Sequence, residues 1–103
     1  MELFDPETLN TALGEILAWE LDMLPQMRGR WQKRLLLMRL QERLPDCSTY
    51  ELEQLIVECN TARDWIHELS ERVWDGRITA LEAKTATFEK FPWVNEENLA
   101  RAL

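Results

Sequence analysis

The sequence predicts an all-α protein: a helical bundle of four main helices, the third of them long, plus a short C-terminal helix. Three observations carry that expectation. From Leu52 to Val73 apolar residues recur in alternating steps of three and four, at Leu52, Leu55, Cys59, Ala62, Ile66, Leu69 and Val73. This is a heptad seam, and the two-residue period of a strand does not produce it. Two capping boxes, one from Ser48 to Glu51 and one from Thr79 to Glu82, mark helix starts. Pro6, Pro25, Pro45, Gly76 and Pro92 divide the chain into segments of helical length.

The first helix opens at Asp5-Pro6-Glu7, an N-cap, a first-turn proline and a first-turn acid. It is expected to run to about Met23, ahead of Pro25, with an apolar stripe of Leu9, Leu13, Ile16, Leu17, Met23 and Leu24. Glu20 falls inside that stripe; it either meets an arginine of the second helix or lies at the solvent edge. Gly14 costs about 1 kcal/mol relative to Ala in mid-helix, and it admits a close neighbour.

The second helix lies between Pro25 and Pro45. It holds six of the twelve basic residues and one acid, Glu42, a balance of +5 that leaves −12 elsewhere in a chain of −7. Its apolar residues occupy two faces, Met27, Trp31, Leu35 and Met38 on one, Leu36, Leu37, Leu40 and Leu44 on the other. A helix apolar on both sides needs more than one neighbour, so a homodimer is a possible use of the excess. Its arginines are expected to pair with acids of the other helices, among them Glu51, Glu53, Glu58, Asp64, Glu68 and Glu71 on the third, the alternative being a contact with nucleic acid or an acidic protein.

The third helix carries the seam from its Ser48 cap to about Asp75, roughly 40 Å at 1.5 Å per residue, and stops at Gly76. The fourth starts after Thr79, presents Leu81, Thr85 and Phe88, and ends before Pro92. Asn95 caps the last helix, with Val94 and Leu99 in the positions of a hydrophobic staple.

Length and composition suit one domain. The chain has 103 residues, 46% of them hydrophobic and 30% charged, with a net charge of −7. That charge disfavours nucleic acid, whose phosphates need a basic face, and suits a protein partner of basic or mixed charge. Leu35 to Met38 is the longest apolar run, far short of the ~20 residues that span a membrane. MELFDPETLN lacks the basic and apolar regions of a secretory signal, and Cys47 and Cys59 are expected as reduced thiols, so a cytoplasmic location is expected.

No motif points to chemistry. Asp64, His67, Glu68 and Glu71 lie on adjacent turns, but His67 is the only histidine, and carboxylate-bridged bundles need a Glu-x-x-His on each of two helices. The same lone His leaves every Ser, Cys and Thr short of a base. Neither a metal nor a cofactor is expected, and no enzyme. The informative side chains are five tryptophans, Trp19, Trp31, Trp65, Trp74 and Trp93. Trp31 fits a core face. Trp65 falls off the seam, Trp19 sits at the margin of its stripe, and Trp93 lies in the loop Phe91-Pro92-Trp93-Val94. Tryptophan is enriched in binding hot spots, so Trp19, Trp65, Phe91, Trp93 and Val94 are the candidate partner-binding residues; the competing reading is that they roof a small core.

The expected function is therefore non-catalytic protein binding by a small acidic module: an adaptor, a chaperone or an inhibitor. The alternative is a helix-turn-helix-like DNA-binding regulator using residues 79–103. Against it, Glu96 and Glu97 would face phosphate at the start of the recognition helix.

Overall fold

The computed structural model describes the backbone of residues 4–22 and 30–103, and the side chains of residues 4–18 and 34–103. It is all-α, and the described residues form five helices: α1 (Pro6–Asp22), α2 (Arg30–Arg43), α3 (Thr49–Trp74), α4 (Ala80–Lys90) and α5 (Glu96–Ala102). No strand occurs among the described residues. Met23, Leu24 and Met27, and the side chains of Trp19, Glu20 and Trp31, lie outside the described residues.

Local chemistry sets the helix ends. The Asp5 carboxylate accepts the Thr8 N–H at 2.7 Å, which holds its carboxyl below the usual carboxylate range. Ser48 and Glu51 complete a reciprocal box, at 3.1 and 3.0 Å. Thr79 and Glu82 repeat it at 3.1 Å in each direction. Asn95 accepts the Asn98 N–H at 2.8 Å. At the other end of α3, Gly76 takes φ +74°, a left-handed turn that costs a Cβ-bearing residue about 1–2 kcal/mol. The turn lets the Gly76 and Arg77 N–H groups return to the Val73 and Arg72 carbonyls.

The α3 seam organises the core. Leu52, Leu55, Cys59, Ala62 and Ile66 are buried in one cluster with Leu9, Ala12, Leu13, Ile16 and Leu17 of α1 and Leu36 and Leu40 of α2. Every pair among α1, α2 and α3 is in contact, while α4 packs on α3 and α5 on both α1 and α3. Of the two apolar faces of α2, the one with Leu36 and Leu40 is inside; on the other, Met38 is exposed and Leu35 half-buried.

The face of α4 differs from expectation. Leu81 and Thr85 point to solvent, whereas Ala83 and Thr87 are fully buried. Small residues admit close approach to α3, and the Thr87 hydroxyl donates to the Ala83 carbonyl at 2.9 Å, so its burial leaves no donor unpaired. Half-buried Phe88 alone of the predicted face packs on the core.

Candidate functional site

The predicted partner loop is part of the core. Phe91, Trp93 and Val94 are buried, Trp93 to 9% exposure, and the two rings meet edge to face at 6.4 Å. Their exposure, expected from a Pro-containing loop, is corrected by what covers it. Asn10 of α1 donates to the Trp93 carbonyl at 2.6 Å and accepts the Asn95 N–H at 3.0 Å. Asn98, itself buried, donates to the Asn10 side-chain oxygen and backbone carbonyl, each at 3.0 Å. Gly14 permits the approach, because a Cβ there would stand 3.3 Å from the Asn98 Oδ1.

Trp65 is likewise less free than its off-seam position suggests. It is half-buried against the core, its ring lies under the Lys90 ammonium at 3.9 Å, and its indole N–H is buried without an acceptor. An orphaned donor of that kind costs about 1–3 kcal/mol. Trp19, the fifth predicted residue, has its side chain outside the described residues.

Among the described residues the exposed tryptophan is Trp74, the last residue of α3, at 87% exposure. Leu81, across the turn at the start of α4, is 71% exposed. Both occupy one end of the molecule, where five residues link the two helices. Asp75 caps α3 beside Trp74, and Glu71 lies one turn before it. Asp75 pairs with Arg77 and Glu71 with His67, each at 3.5 Å between exposed groups. The argument that singled out Trp65 applied equally to Trp74, which follows the last seam residue and so sits off the seam; that signal was available.

Other charged groups form ion pairs within the fold. Arg39 and Arg43 of α2 clamp Glu15 of α1, at 2.7 and 2.9 Å. This is the pairing with acids of another helix that the sequence leads one to expect, here with the first. On α3, Arg72 holds Glu68 at 2.7 Å and Arg63 holds Asp64 at 3.1 Å. Cys47 and Cys59 are free thiols. Burial pushes the Cys59 thiol up to about 12, with the Glu58 charge adding to it; burial first, then Glu51, Asp46 and Asp5, raises Cys47.

A cleft of about 440 Å³ runs between α1 and α5, lined by Glu7, Asn10, Glu15, Arg43, Asn98 and Arg101 among others. Its polar groups are spent on one another: Asn10 on Asn98, Glu15 on Arg43, and Arg101 on Glu97 at 2.9 Å. Within residues 79–103 the first-turn acids Glu96 and Glu97 of α5 pair with Lys84 and Arg101. No described helix is long and apolar enough to cross a membrane. No protein-family model, curated protein or solved structure matches the chain.

Proposed function

We propose that this protein is a non-catalytic, acidic protein-binding module of the cytoplasm, an adaptor, chaperone or inhibitor, that engages its partner through the end of the bundle at Trp74 and Leu81. The observation that carries this is the 87% exposure of Trp74 in a small protein that buries Phe91 and Trp93 and half-buries Trp65. A solvated indole is the kind of side chain whose burial dominates an interface. Leu81, across the five-residue turn, is exposed as well, and Glu71 and Asp75 flank Trp74 in sequence as exposed acids. Two free thiols accord with a reducing compartment.

The test is capture of a partner from the protein's own cell lysate by tagged wild-type and Trp74→Ala protein, with circular dichroism on both. Loss of a stoichiometric partner on substitution, with helicity intact, is the expected result. Equal retention by the variant removes this surface from the reading. A stable dimer by light scattering, dispersed by Trp74→Ala, would make the partner a second copy.

A further inference from the structure

We infer that the Trp74 surface recognises a cationic segment of its protein partner, with an arginine or lysine laid on the indole face and an apolar neighbour against Leu81. This rests on the binding role proposed for that surface and names the chemistry of what binds there. Two aromatic faces elsewhere in the molecule are covered by lysines: Lys90 stands 3.9 Å from the Trp65 ring centre and Lys84 5.9 Å from that of Phe88. Trp74 has no such cation among the described residues, although its ring is open to solvent.

The electrostatics around it favour one from outside. Helix α3 carries six acids against two arginines, and its C-terminal end, where Trp74 sits, bears the partial negative charge of the helix dipole. The carboxylates nearest in sequence, Glu71 and Asp75, have only exposed partners at 3.5 Å, looser than the 2.7 Å of Arg39 on Glu15 or Arg72 on Glu68. Exposed pairs of that kind contribute little, so an incoming guanidinium or ammonium exchanges with them at little cost. A cation over an indole gains at the same point. Phosphate would meet the same carboxylates as a repulsion.

The experiment is a titration of the full ¹⁵N-labelled chain with a short amphipathic peptide of leucine and arginine, and with its counterpart in which glutamine replaces every arginine. The Trp74 indole N–H signal is assigned by its loss in Trp74→Leu. The arginine peptide is expected to shift that signal and the amides of Glu71, Asp75 and Leu81. The glutamine peptide should bind about tenfold more weakly, and added salt should erode the difference. Trp74→Leu, which keeps the apolar bulk and loses the π face, should weaken the arginine peptide roughly threefold. Glu71→Gln with Asp75→Asn should weaken it about fivefold. Equal binding of the two peptides at Trp74 overturns the cationic partner and leaves the docking surface standing. Arginine-peptide shifts confined to other acids, or unchanged affinity in Trp74→Leu, overturn the indole as the recognition point. If neither peptide moves the signal, the inference falls, and the lysate capture with Trp74→Ala judges the binding role separately.

Discussion

The two turns that flank α4 are alike in sequence and opposite in fate. Each links helices through about five residues, each has a tryptophan in or beside it, and a polar residue in each caps the next helix, Thr79 in one and Asn95 in the other. At the first turn Trp74 is 87% exposed; at the second Trp93 is 9% exposed. The difference lies in what passes over them. The first turn is closed by hydrogen bonds to its own helix, from Asp75, Gly76 and Arg77 back to α3. The second is tied by Asn10, a residue 83 positions from Trp93 in sequence, to the flank of α1. A tryptophan in a turn becomes core when another helix supplies a lid, and local spacing does not carry that information.

The largest effect expected from this contrast is on Trp93→Ala, which should cost about 3–5 kcal/mol, as for truncation of a buried aromatic. Trp74→Ala should fall within about 0.5 kcal/mol of wild type. Urea unfolding of both variants measures the gap, and a Trp93→Ala loss below about 1 kcal/mol would break the comparison.

The core around Trp93 also holds Cys59, fully buried, and its titration extends the contrast to pH. The thiol is neutral when protonated, and its folded value of about 12 lies above the ordinary 9.0. Its contribution to stability is therefore complete below pH 9.0 and lost as pH rises from there toward about 12. The loss is on the order of a few kcal/mol. Unfolding of wild type and Cys59→Ala across that range checks it: the variant should show a shallower alkaline decline, and parallel curves would remove Cys59 as its source.

Asn10→Ala should cost about 1–3 kcal/mol, because it leaves the Asn95 N–H without its side-chain acceptor and the Trp93 carbonyl without its donor, while the Asn98 amide keeps only the backbone carbonyl of residue 10. Hydrogen exchange should then rise in α5 and leave α3 unchanged; exchange that rises everywhere would mean the tie is global. At the open turn Gly76→Ala should cost about 1–2 kcal/mol through its positive φ alone, since no atom lies within 4 Å of the Cβ it would carry. A larger loss would show that the first turn is covered after all.

How much was legible depended on the range of the interaction. The caps at Asp5, Ser48, Thr79 and Asn95 are contacts over three residues, and each start they mark appears where the residues place it. Val94 and Leu99 are both buried, in keeping with the staple. The seam was legible because seven apolar residues at one spacing have a single regular solution. The face of α4 was not, because Ala83 and Thr87 count little on any apolar scale and are buried for their small size. Of the two off-seam tryptophans on α3, Trp74 is exposed and Trp65 half-buried, a difference that the spacing along the helix does not carry.

The amino-acid order alone therefore settled the helical class, the extent of the long helix and the places where helices begin, since these follow from backbone donors meeting side chains within a turn or two. Which side of α4 faces inward, that Arg39 and Arg43 close on Glu15 across α1, and that Trp93 is roofed while Trp74 stands bare were decided by the tertiary arrangement. Those outcomes depend on residues brought together from distant parts of the chain, and only the packed fold sets which of them meet.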